Sequence, residues 1–131
     1  MKVMALDFGS ARTGVAVSDP TGTLARPLCV VEKAASEAGL AELQRLVRDE
    51  AAERVVVGLP LTLRGARGEQ AVATERFVEA LRRVVEVPVV LYDERFTTEL
   101  ARQTPSAAAE DARAAAHLLS GYLTWASASP A

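Results

Sequence analysis

VMALDFGSARTGVAVSD, Val3 to Asp19, is the stretch whose reading decides the fold. Val3 to Phe8 is almost continuously apolar and has the length of a strand buried on both faces. Asp7 interrupts that run. An ionised carboxylate there costs several kcal/mol unless something pairs with it, and a cation is one such partner. Gly9 to Gly14 then read as a small-residue turn with a glycine at each end. Val15 to Val17 form a second strand closed by Ser18-Asp19-Pro20, so the stretch predicts a hairpin. Glycines beside a carboxylate let a backbone or a ligand come close, which a phosphate-handling site requires. The competing reading is an aspartate that caps the turn through its own backbone bonds.

A chain of 131 residues makes one domain of ordinary size, able to bury a core without staples and too short for a second large domain. With 50% of residues hydrophobic and 24% charged, it has the composition of a globular protein rather than a disordered one. No apolar run approaches the roughly 20 residues of a membrane span, and the first residues lead into a strand without a signal-peptide pattern. The expectation is a cytoplasmic protein. One cysteine, Cys29, excludes an internal disulfide or a multi-cysteine metal cluster, and one histidine, His117, excludes a histidine metal site. Cys29 stands in an apolar segment and reads as a small core residue. The net charge of −2 argues against nucleic-acid binding by bulk electrostatics. Thirteen of the 15 cations are arginine, however, the better residue for bidentate contact with phosphate.

Beyond the hairpin, Leu24 to Val31 reads as a third strand, with Pro27 pointing to an edge position. Ser36 to Glu53 places Leu40, Leu43, Leu46 and Val47 at helical spacing, with Ser36 as N-cap. Arg54 to Gly58 is a short buried strand. Leu61 to Gly68 is a glycine-punctuated loop carrying Arg64 and Arg67. Glu69 to Val85 is a second helix, with an apolar face of Val72, Ala73, Phe77, Ala80, Leu81 and Val84. Pro88 to Tyr92 is a fifth strand, and a brief helix over about 98–102 follows. The last helix spans about Glu110 to Ala126, with Asp111, Ala115, Leu118, Leu119, Tyr122 and Ala126 on one stripe. Residues 1–126 form the domain and 127–131 a frayed tail. Strands alternating with helices in the second half demand parallel pairing with right-handed crossovers, whereas the first three can form an antiparallel meander. The expected class is α/β with a mixed sheet.

Three carboxylates stand out: Asp7, Glu94 just past the fifth strand, and Asp111 on the inward stripe of the last helix. Asp111 also has a purely structural reading, an acid stabilised by the dipole of a first helical turn. If the three meet, an all-oxygen ligand set without histidine or cysteine suits a hard cation, Mg²⁺ or Mn²⁺. The chemistry that uses such a site is phosphodiester hydrolysis with two ions about 4 Å apart.

Four segments in order, LDFGSARTGVAVSDPTG, VVGLPLTLRGARGEQA, VVLYDERFTTELA and DARAAAHLLSGYL, together resemble the YqgF or RuvX family of the ribonuclease H-like superfamily. These are nucleases described as candidate pre-16S rRNA nucleases in ribosome biogenesis and as Holliday junction resolvase-like. The resemblance covers about 120 residues. It implies a five-stranded sheet in order 3-2-1-4-5, and it carries the catalytic and metal-binding acids onto Asp7, Glu94 and Asp111. Asp93 is adjacent, but strand alternation points it to the other face from Glu94. The resemblance also implies that the GLP loop and the DERFTT segment line the nucleic-acid cleft, and the candidate nucleic-acid-binding residues are Gly9, Arg12, Arg64, Arg67, Arg95, Thr97 and Thr98. The implied partner is structured RNA, or branched or single-stranded DNA, taken by a monomer or a homodimer. Two features depart from the family pattern. The stretch before the last acid, TPSAAAED, is short and without a cation, while Arg64 stands where an acid or amide is common. A resolvase cutting two strands symmetrically would need a dimer. A weakly catalytic ribosome-assembly factor is a third reading, against which the intact acids argue. The actin and sugar-kinase architecture shares the strand-Asp-x-Gly-turn-strand opening, but it needs two such domains and the length here supplies one.

Overall fold

The computed structural model describes residues 1–60, 68–93 and 107–128, the side chains of 107–110 and 128 excepted. Five strands, β1 (Val3–Asp7), β2 (Arg12–Ser18), β3 (Ala25–Glu32), β4 (Arg54–Leu59) and β5 (Val89–Asp93), form one sheet in the order β3-β2-β1-β4-β5. Three helices complete the described elements: α1 (Glu37–Asp49), α2 (Glu69–Arg82) and α3 (Ala107–Ala128). β1 to β3 form the antiparallel meander, whereas β4 runs parallel to β1 and β5 parallel to β4. The edge position expected from Pro27 is the one β3 occupies. Beside Pro27 the β2–β3 register shifts, between Val15 and Ala16, as a residue without an N–H invites.

Side-chain alternation sorts the strands into two cores. Met4, Leu6, Val15, Val17, Val55 and Val57 face α1 and α2, where they meet Leu43, Val47, Phe77 and Leu81. Val3, Ala5, Ala16, Val56 and Tyr92 face the other way, onto Ala115, Leu118, Leu119 and Tyr122 of α3. β1 is therefore buried on both faces, as its apolar run requires.

Several element boundaries differ from the expected ones. β2 begins at Arg12 rather than Val15, so Gly14 belongs to the strand and the turn is shorter. α1 starts after its Ser36 N-cap, whose Oγ accepts from the Gly39 N–H, but it stops at Asp49, next to the left-handed Ala51. The inward face of α2 is Ala71, Thr74, Phe77, Val78 and Leu81, not Val72 and Ala73. Thr74 is tolerated there because its hydroxyl donates to the Gln70 carbonyl at 2.8 Å. α3 starts at Ala107 and reaches Ala128, taking in two residues of the stretch read as tail, and Ala126 is exposed rather than on the stripe. Cys29 is half-buried beside the first core, and burial pushes its thiol pKa up, with Glu42 and Glu50 adding to the effect. The brief helix expected over 98–102 lies outside the described residues.

Candidate active site

Because β1, β4 and β5 are parallel, their C-terminal ends share one rim of the sheet, with Leu6 level with Val57 and Leu59 level with Asp93. In open α/β sheets that rim is where ligands bind. Asp7 is the last residue of β1 and is half-buried. The alternation that sends Val3 and Ala5 toward α3 sends Asp7 the same way. Phe8, the next residue, goes to the opposite face and stacks on Phe77 of α2, with ring centroids 4.4 Å apart. Gln70 of α2 donates to the Phe8 carbonyl at 3.3 Å. The end of β1 is thus clamped from the α2 side while its carboxylate faces α3.

Asp7 stands opposite Gly14 in the β1–β2 ladder. A Cβ built on Gly14 would overlap the carbonyl group of Asp111 and stand 3.1 Å from the Ala112 nitrogen. The missing side chain is what allows α3 to lie with its backbone directly on β2, beside Asp7. Asp111 is the fifth residue of α3 and so belongs to its second turn. The helix dipole acts mainly within the first turn, so the capping reading of this acid loses its basis. Arg12, on the same face of β2 as Gly14, brings its Nε to 3.2 Å from Asp111 Oδ2. The approach is an ion pair by distance but not a hydrogen bond by angle. Oδ2, shielded from solvent, makes no hydrogen bond among the described residues.

Two of the three expected acids, Asp7 and Asp111, are therefore brought to one place. Glu94 lies outside the described residues, as do Arg64, Arg67, Arg95, Thr97 and Thr98. Among the described residues, no three acidic, histidine or cysteine side chains group as a metal site. Gly9 sits in the turn after β1, where its N–H donates to Thr13 Oγ1 at 3.4 Å and the Arg12 carbonyl fills the space of a Cβ. Gly9 thereby closes the turn tightly. Two further contacts were not legible in the sequence. One is the Arg12–Asp111 pair. The other is Arg54, which donates from Nη1 to the Tyr122 hydroxyl at 2.8 Å and ties α3 to β4. Tyr92 meets Tyr122 edge to face at 5.6 Å in the same region, and burial, then Asp93, push its pKa up.

The donors fit a hard divalent cation: carboxylate oxygens on rigid elements, one of them shielded and without a hydrogen bond among the described residues. His117 is exposed and Cys29 belongs to β3.

The fold is ribonuclease H-like, of the kind seen in RuvC resolvases. Thermus thermophilus RuvC in complex with a Holliday junction substrate superposes with a TM-score of 0.61 at 20% identity, over 100% of this chain and 99% of that one. The fowlpox virus resolvase, solved with Holliday junction DNA, superposes with a TM-score of 0.59 at 10% identity, over 96% of this chain and 99% of that one. A family model, RuvX, described as Holliday junction resolvase, matches residues 1–125. Proteins named "Putative pre-16S rRNA nuclease" are similar throughout. That of Chloroflexus aggregans is 46% identical over 101 residues, covering 77% of this chain and 71% of its own. That of Moorella thermoacetica is 39% identical over 132 residues, covering 94% of each. The chain belongs to the RuvX family.

Proposed function

We propose that this protein is a metal-dependent nuclease that hydrolyses phosphodiester bonds of the 16S rRNA precursor at its 5′ end, a cytoplasmic step of ribosome biogenesis. The observation that carries the reading is Gly14, which stands opposite Asp7 in the ladder and beneath the backbone of Asp111. A position without a side chain there serves to bring two carboxylates together from distant parts of the chain. Asp7 and Asp111 would hold Mg²⁺ or Mn²⁺, with Glu94, which follows the last residue of β5, as the third ligand of a pair of ions. Such ions, when bound, make a water more acidic and offset charge on the leaving oxygen.

The chain's own residues supply position. Asp7 is held by the ladder and the Phe8 clamp, and Asp111 by a helix seated on the sheet. Arg12, Arg64, Arg67 and Arg95, with Gly9, Thr97 and Thr98, are assigned to the phosphate backbone of structured RNA, held by a monomer. The names of the similar proteins favour RNA, whereas the description of the family favours a four-way DNA junction, whose symmetric cutting would call for a homodimer.

One experiment addresses both. Purified protein is incubated with 16S leader RNA, matched DNA and a four-way junction, each with Mg²⁺, Mn²⁺ or chelator. Cleavage of the RNA alone is expected, with nearly all activity lost in Asp7→Asn, Asp111→Asn and Glu94→Gln. Cleavage confined to the junction replaces the substrate with branched DNA. More than about a tenth of the activity surviving in Asp7→Asn, a barrier change under ~1.4 kcal/mol, overturns the site.

A further inference from the structure

Arg12 was expected to contact nucleic acid, yet in this structure it faces an acid of the candidate site. Its Nε approaches Asp111 Oδ2 at 3.2 Å, while the arginine side chain remains 43% exposed. The contact lacks hydrogen-bond geometry, and Oδ2 has no hydrogen-bond partner among the described residues. Such a contact offsets charge without fixing the guanidinium, and a partly exposed pair of this kind holds weakly. Arg12 opens β2 on the face that α3 covers, so its guanidinium can leave Asp111 by side-chain rotation alone, without moving the strand. The position next to Oδ2 is also the one a cation on Asp111 must share.

We propose that Arg12 is an exchangeable counterion of Asp111: it offsets the carboxylate in the metal-free protein and yields Oδ2 when a divalent cation binds, leaving its guanidinium free for a substrate phosphate. The inference rests on the metal reading of Asp7 and Asp111. Because one positive charge is exchanged for another at the same oxygen, arginine and metal compete, and the metal-bound form is the one with a spare cation at the cleft. Metal and nucleic acid then favour each other's binding through Arg12, and that coupling is reciprocal.

The test is Mn²⁺ binding by calorimetry to the full chain and to Arg12→Gln, Arg12→Lys and Asp111→Asn, without nucleic acid. Removing the competing charge is expected to tighten Mn²⁺ about fivefold in Arg12→Gln, the equivalent of ~1 kcal/mol. Arg12→Lys should stay near the wild type, and Asp111→Asn should bind weakly. A second reading uses the unmutated protein: saturating Mg²⁺ should speed solvent exchange of the Arg12 Nε–H followed by NMR, because the guanidinium has left its carboxylate. Equal Mn²⁺ affinity in wild type and Arg12→Gln, or an Nε–H exchange rate that Mg²⁺ does not change, overturns the counterion role and leaves the metal site standing. Equal affinity in wild type and Asp111→Asn overturns the metal site itself, and the counterion role with it.

Discussion

Gly14→Ala should separate the two acids while leaving both in the chain. The new methyl group would meet backbone rather than a movable side chain: the Asp111 carbonyl group first, then the Ala112 nitrogen at 3.1 Å. Neither can turn aside, so α3 must lift from β2 by about 1 Å, enough to forfeit a quarter to a half of the dispersion energy along the separated contacts. Ala115, Leu118 and Leu119 of that helix are at most 2% exposed, so the loss falls on well-packed atoms. Overpacking of this kind costs roughly 1–3 kcal/mol, and backbone contact puts this case at the upper end, near 3 kcal/mol. At about 4 °C per kcal/mol for a domain of this size, Tm should fall by about 12 °C. The shift also moves Asp111 away from Asp7, so Mn²⁺ affinity should fall at least tenfold at temperatures where the variant is fully folded. Gly68→Ala is the control, because among the described residues nothing lies within 4 Å of the Cβ it would gain. Thermal melts and calorimetric Mn²⁺ titration of the two variants decide the matter. A Gly14→Ala protein that melts within about 2 °C of the wild type and binds Mn²⁺ equally well would refute the placement of α3 on β2.

Saturating Mn²⁺ should stabilise the wild type by roughly 2.7 kcal/mol at a hundred times the dissociation constant, whereas Asp7→Asn should gain little and, in chelator, melt no lower than the wild type. An equal Mn²⁺ shift in both would place the ion elsewhere. Arg64→Ala and Arg67→Ala should each weaken nucleic-acid binding across sequences and reduce its salt dependence by about one phosphate, with binding curves at several salt concentrations as the check. Asp19 is held at a pKa of about 2, below its ordinary 3.8, by the Thr21 hydroxyl first and then by the Leu24 and Thr23 N–H groups. A lowered folded-state pKa means stability that is complete above pH 3.8 and is lost as pH falls toward 2. Asp19→Ala should therefore flatten acid unfolding within that window and leave the curve above it parallel to the wild type.

The elements legible in the sequence are those whose signals are local. The apolar run of β1, the Ser36 cap and the proline of β3 each carry their consequence within a few residues. Arg12, Thr13 and Gly14 look like turn residues, so local pattern predicts a shorter β2 than the one formed. Their strand conformation is imposed by pairing with Val30, Val31 and Glu32, which no local pattern shows. The face of α2 was misphased because Thr74 looks polar, although it is satisfied within its own helix. The start of α3 was missed because alanines carry no phase. At the candidate site, Asp7 was conspicuous as a charge in an apolar strand, and Asp111 as a charge on an apolar stripe. That they meet follows only if the first and later strands neighbour each other in parallel, an order that the family resemblance supplies. The means by which they meet, Gly14 under the helix backbone, and the Arg12 side chain beside Asp111 depend on contacts between the two ends of the chain.

The seat of α3 on the first three strands has a consequence for the order in which the molecule is made. The meander of β1 to β3 pairs neighbours in sequence and can form early, whereas α3 follows all five strands and closes on residues synthesised first, the kind of long-range contact that forms late. Until α3 has emerged from the ribosome, Val3, Ala5, Ala16 and Val56 present an uncovered apolar face, and Asp7 still lacks Asp111 beside it. A nascent chain is therefore a sticky substrate for chaperones until its last helix is seated.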